Sequence, residues 1–126
     1  MKILDNLKYT ANHEWVLLDG KIATVGITDY AQSELGDIVY LDVDTLGQHL
    51  NIESIFGSVE AVKTVSDLYM PVSGKITELN SNLESNPELL NQSPYDEGLI
   101  IKVEIDDDFN GDQLLSSVQY KEIIGL

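Results

Sequence analysis

The 126-residue sequence predicts a mainly β fold, a sandwich or flattened barrel with brief helices at its edge. Two observations carry this expectation. Short β-prone runs recur between closely spaced turn signals, and helical spacing of apolar residues is confined to two short stretches. An apolar fraction of 43% is ordinary for a globular protein, and a chain of this length has room for one packed core. One domain is expected over 1–126, with its core at about 9–105 and a C-terminal helical segment at about 112–124.

His13 to Leu18 and Lys21 to Ile27 flank Asp19-Gly20, a strong hairpin signal because both residues tolerate positive φ. Thr28 to Gly36 reads as a helix of two turns at most. Thr28 is its N-cap, Asp29 suits its dipole and Gly36 closes it. Asp37 to Val43 alternates as a strand, and Leu46 to Asn51 reads as a loop. Gly74-Lys75-Ile76 repeats the Gly20-Lys21-Ile22 pattern, a slight hint of two similar halves. Asn80 to Gly98, with Pro87 and Pro94, reads as a polar loop around a short turn at Pro87 to Leu90. Leu99 to Ile105 is a strand. Asp112 to Leu115 begins a helical turn, and Ser117 to Ile124 has apolar positions at helical spacing.

Net charge is −15, from 22 acids against seven lysines, with no arginine. This argues against nucleic acid as a partner, because phosphate contacts need clustered cations. An anionic membrane surface would repel the chain, whereas basic clefts of partner proteins would attract it. The absence of cysteine removes thiol nucleophiles, disulfides and zinc–thiolate sites. No apolar run approaches membrane-spanning length, and Met1-Lys2-Ile3-Leu4-Asp5 is too short and too soon acidic for a targeting segment. A soluble monomer is expected, cytoplasmic in a bacterium or in the mitochondrial matrix as a processed eukaryotic form.

Gly57 to Gly74 reads as two extended segments meeting at a tip, with Lys63 where the hairpin turns. Lys63 is the only cation between Lys21 and Lys75, among Asp29, Glu34, Asp37, Asp42, Asp44, Glu53, Glu60 and Asp67. A lysine ammonium is a poor nucleophile unaided, yet an exposed one is a good target for an acylating enzyme, and acylation deletes its charge. Taken alone, such a residue is an ordinary solvated side chain. Asp106-Asp107-Asp108-Phe109-Asn110-Gly111 imitates the first half of a calcium loop, but position twelve falls on Ser117, which cannot supply the bidentate carboxylate. His13 and His49 lie in unrelated contexts, and no serine sits in a nucleophile elbow, so neither a metal site nor a catalytic centre is expected. Trp15, Tyr30, Tyr40, Phe56 and Tyr69 are assigned to the core.

The run Val59 to Gly74 resembles the lipoyl-attachment segment of glycine cleavage system H proteins. So do Tyr9-Thr10 with His13 to Val16, Ala23 to Ala31, Leu35 to Tyr40 and Ser93-Pro94-Tyr95, in register from about Tyr9 to Lys102. The resemblance implies a barrel-sandwich hybrid of two antiparallel sheets and lipoate in amide linkage to Lys63. It implies a carrier rather than an enzyme, serving glycine decarboxylase, aminomethyltransferase and dihydrolipoamide dehydrogenase. Glu60 and Gly74 match positions that lipoyl-attaching enzymes read. By the same analogy Glu14 and Asp67 are candidates to receive the amine of the loaded arm. Gly98-Leu99 departs from the family's usual Gly-Trp, and Phe56-Gly57-Ser58 and Met70 are slightly unusual. Two alternatives are an H-like protein that mainly donates lipoate to other lipoyl domains, and an unmodified acidic binding module. A biotin carrier is disfavoured, since Val62 and Thr64, not methionines, flank the lysine.

Overall fold

A computed structural model describes all residues, Met1–Leu126. Its nine strands are β1 (Lys8–Tyr9), β2 (Glu14–Asp19), β3 (Ile22–Ile27), β4 (Ile38–Asp42), β5 (His49–Leu50), β6 (Ile55–Ala61), β7 (Val65–Tyr69), β8 (Gly74–Leu79) and β9 (Ile101–Ile105). They form a six-stranded sheet, in the order β1-β2-β3-β9-β8-β5, and a three-stranded sheet, β4-β6-β7. All pairings are antiparallel and neither sheet closes into a barrel. Val16, Val25, Ile76 and Val103 from the larger sheet meet Ile38, Leu41, Val59 and Leu68 from the smaller one in a single 19-residue apolar cluster. The core therefore lies between the sheets, as the inward half of each alternating strand requires.

The first hairpin forms where expected but turns one residue later. Asp19 pairs with Ile22, so the loop is Gly20-Lys21. Gly20, at φ 59°, takes the first central position, which is where a type II′ loop places glycine. The two Gly-Lys-Ile segments begin or precede β3 and β8, which flank β9 on either side.

Helix α1 (Asp29–Leu35) is capped as expected, with Thr28 Oγ1 accepting from the Ala31 N–H and Gly36 at φ 78° closing it. The polar stretch after β8 holds two single-turn helices, α2 (Asn82–Ser85) and α3 (Leu89–Gln92), of which α2 was not anticipated. Neither has a side-chain cap, and each buries one leucine, Leu83 or Leu90, so tertiary packing rather than local sequence forms them. Asn91 in α3 fixes the start of β4. Its Oδ1 accepts from the Ile38 N–H at 2.9 Å, and its Nδ2 donates to Gly36 O at 2.8 Å.

The C-terminal helix, α4 (Ser117–Ile123), starts later than expected. Asp112–Leu114 is a turn, and Leu115 spends both backbone groups on Tyr9 as a β-bridge. Only after that can helical bonding begin, with Ser116 and Gln119 forming a capping box. Tyr120 then stacks on Tyr9, with ring centroids 4.7 Å apart, and its hydroxyl lies 2.7 Å from Thr28 Oγ1 and 2.9 Å from His13 Nδ1. This second, smaller cluster also contains Leu7 and Trp15, with Leu99 packed against it at the departure from Gly-Trp.

Tyr40 was expected in the core and is 54% exposed. A bulge in β4 is the reason. Ile38 pairs with Ala61 and Tyr40 with Glu60, so Val39 is the extra residue and two consecutive side chains face outward. No helix is long and apolar enough to cross a membrane.

Gly26 lies against the indole of Trp15, where an added Cβ would sit 2.5–2.7 Å from ring atoms. Trp15 has little room to yield, being 2% exposed and donating its Nε1–H to Pro94 O at 2.8 Å. Gly26→Ala is expected to destabilise the fold by about 1–3 kcal/mol, read as a lower melting temperature. An unchanged transition would show that the indole repacks freely.

Candidate functional site

Strands β6 and β7 form the lysine hairpin, with Glu60 paired to Val65 and Ser58 to Asp67. The Ala61 N–H donates to Thr64 O at 2.8 Å, leaving Val62 and Lys63 as the tip. Neither takes a positive φ, so the tip is built without left-handed backbone. It is braced from outside instead, by the Val62 N–H donating to Asp37 O at 3.0 Å, which continues the β4–β6 pairing to the turn. The backbone beneath Lys63 is thus fixed on two sides while its side chain is exposed. The ion pairs of the chain join Lys21 to Asp107, His49 to Asp106 and Lys102 to Glu78, leaving Lys63 unpaired. An exposed primary amine with no internal partner on a fixed base is what an acylating enzyme needs to reach.

The other residues of interest fall into three environments. Glu60 is exposed on β6, flanked by Tyr40 and Val65 on the neighbouring strands. Gly74 lies under β9, where an added Cβ would stand 2.3 Å from Glu104 O and 2.7 Å from Val103 Cγ1. Sheet packing therefore requires glycine there irrespective of any enzyme that reads the position. The aspartate run after β9 splits between partners, since Asp106 bonds His49 at 2.8 Å while Asp107 pairs with Lys21.

Asp67 is exposed on β7, but Glu14 is not a surface carboxylate. It is 1% exposed, with Oε1 accepting from the Thr10 hydroxyl at 2.9 Å and Oε2 from the Tyr69 N–H at 3.0 Å. Glu14 belongs to β2 and Tyr69 to β7, so this carboxyl bridges the two sheets beside the lysine hairpin. Burial pushes its pKa up to about 7, against the lowering effect of the Tyr69 and Thr10 bonds, and the nearby Glu53 charge adds to the rise. Thr10, Tyr69 and Asp37 are the site's unanticipated members. All three lie inside motifs already visible, but nothing in their spacing points to the contacts they make.

The Glu14 carboxyl holds its proton more tightly in the folded chain than in the unfolded one. Its contribution is therefore fully present below about pH 4.5 and lost as pH rises through about 7. The loss amounts to roughly 3 kcal/mol on the scale of 1.4 kcal/mol per pKa unit. Glu14→Gln is expected to flatten the fall in stability between these pH values, measured by denaturant unfolding at several pH values. Parallel profiles for variant and parent would refute the assignment.

The glycine cleavage H-protein family model matches residues 7–125. The glycine cleavage system H protein of Staphylococcus epidermidis (ATCC 12228) is 51% identical over 125 residues, covering 99% of each chain. That of Staphylococcus haemolyticus is also 51% identical over 125 residues, with the same coverage. The crystal structure of a glycine cleavage system H protein from Mycobacterium marinum superposes with a TM-score of 0.89 at 33% identity, covering 98% of this chain and all of that one. With the hairpin, the two sheets and these likenesses together, the chain belongs to the glycine cleavage H-protein family, whose members are lipoyl carriers and not enzymes.

Proposed function

We propose that this chain is the lipoyl-bearing shuttle of glycine cleavage, with lipoate in amide linkage to Lys63. In this role it takes the aminomethyl group from glycine decarboxylase to aminomethyltransferase and is then reoxidised by dihydrolipoamide dehydrogenase. The observation that carries the reading is the unpaired, exposed Lys63 amine on a tip held by Asp37 and Thr64. When attached, lipoate supplies a dithiol–disulfide couple. The chain itself has no cysteine, so it offers no thiol that would divert that couple into an internal mixed disulfide. Its net charge of −15 suits transient docking on several basic clefts and favours a monomer, placed in the bacterial cytoplasm.

Within this reading Glu14 and Asp67 are the carboxylates assigned to the amine of the loaded arm. Asp67 is open to it directly. Glu14 is covered, and it becomes available only as its bond to the Tyr69 N–H is given up. Glu14→Ala is expected to hasten loss of the aminomethyl group to water. An unchanged half-life would remove Glu14 from that role.

The attachment itself is tested by intact mass and peptide mapping of protein made with lipoate in a lipoylation-competent host. One lipoyl adduct on Lys63, absent from Lys63→Arg, is the expected result. An unmodified Lys63 would favour the acidic binding module instead.

A further inference from the structure

We propose that the outward face of the three-stranded sheet, centred on the Tyr40–Glu60–Val65 rung, is the docking surface for the enzyme that acylates Lys63. The partner surface this face fits is an apolar recess with a lysine- or arginine-rich rim. The inference rests on Lys63 being the acylated residue, and it adds Tyr40 and Val65 to the recognition of the site.

Three observations carry it. The solvent face of an antiparallel sheet is ordinarily polar, yet here Tyr40 is 54% exposed and Val65 61% exposed, one on each side of Glu60. Val39, Ile55 and Val62 extend the same face or its tip at 47%, 51% and 71% exposure, so five of the chain's twelve exposed large apolar residues gather on this small sheet. The β4 bulge is what turns both Val39 and Tyr40 outward, an arrangement the core does not require.

The second observation is charge. The next rung is Asp42–Ser58–Asp67, and Asp37, Asp42, Glu60 and Asp67 are exposed and take part in none of the ion pairs. Lys63 is the only cation on this sheet or its tip. An apolar strip rimmed by unpaired carboxylates calls for the opposite rim on its partner.

The third is distance, and it selects the partner. Val65, the first residue of β7, is two residues beyond Lys63 at the tip, a chain reach of at most about 7 Å. In acylation the Lys63 amine attacks the carbonyl of an acyl adenylate. An amide C–N bond forms, the acyl–phosphate bond breaks, AMP leaves and the amine's proton passes to solvent. The mouth of that enzyme's active site must therefore come up to the tip, covering the adjacent rung. An enzyme serving the loaded arm can stand off by the arm's length.

The test is lipoylation of the apo-protein by a purified lipoate-activating ligase with lipoate and ATP. Tyr40→Thr/Val65→Thr is expected to raise KM for the apo-protein roughly tenfold or more with kcat little changed, and Tyr40→Phe to stay near the parent. Acylation of Lys63 by a small reactive ester reports the amine itself and is expected to be equal in all. KM is also expected to rise with salt between about 50 and 300 mM, less steeply in Glu60→Gln/Asp67→Asn. As a second measure, Lys63→Arg is expected to compete with the parent for the ligase, and Lys63→Arg carrying only Val65→Thr to compete poorly. Equal KM in a folded double variant, or equal competition by both Lys63→Arg proteins, overturns the docking surface. A parent chain that the ligase leaves unmodified at Lys63 overturns instead the reading of Lys63 on which it rests.

Discussion

One buried carboxyl group ties the lysine hairpin to the larger sheet. β7 is an edge strand, and the Tyr69 N–H finds its partner in Glu14 rather than in a further strand. Leaving that part-buried donor without a partner as the sheets pack would cost free energy, so the contact is favoured in the assembled fold. The consequence is a carboxyl held in low dielectric, with a proton affinity moved toward neutrality. On the hairpin's other side, Asn91 anchors the start of β4, and β4 in turn holds the tip through Asp37. The Glu14 bond holds the base of the hairpin at Tyr69, the Asp37 and Thr64 bonds hold its tip at residues 61–64, and both stop short of the Lys63 side chain. A carrier needs that division between a fixed base and a free amine.

The β architecture was legible because its inward residues alternate in short runs between turns, and the Thr28 and Gly36 caps were visible in the residues themselves. The place of Lys63 at a hairpin tip was legible in its flanking β-prone runs, whereas its use as an attachment point was suggested by the extended resemblance alone. Local pattern did not show β5, which is two residues held by β8, or α2, which exists by packing Leu83. Nor did it show that Leu115 would pair with Tyr9 and delay the last helix, since that bond joins residues far apart in the chain. Tyr40 was misplaced because one extra residue in a strand inverts the inside–outside pattern after it. Glu14 was singled out by resemblance, but its burial depends on Thr10 and Tyr69 converging from elsewhere, and no spacing encodes that.

The chemistry of the site is simple because most of it is brought by other molecules. The chain contributes an amine in the open, carboxylates around it, and the absence of any thiol of its own. Its specificity then has to come from surface rather than from a pocket. The outward sheet face differs from the rest of the strongly acidic exterior in combining unpaired acids with a clustered apolar strip beside the lysine. Two sides of one small sheet thus have separate tasks, the inner one packing the core and the outer one recognition.

The position of β9 sets the order in which this surface can come into being. Residues 38–69 supply every strand of the small sheet, but the sheet it packs against is completed only when Ile101–Ile105 enters between β3 and β8. During synthesis the lysine hairpin therefore emerges from the ribosome well before its floor exists. The pairing of β3 with β9 closes a long loop, a slow step compared with forming a local hairpin. The sheet beneath the hairpin is thus completed late, so an enzyme that recognises the assembled fold rather than the peptide around the lysine would act on finished chains and pass over nascent ones.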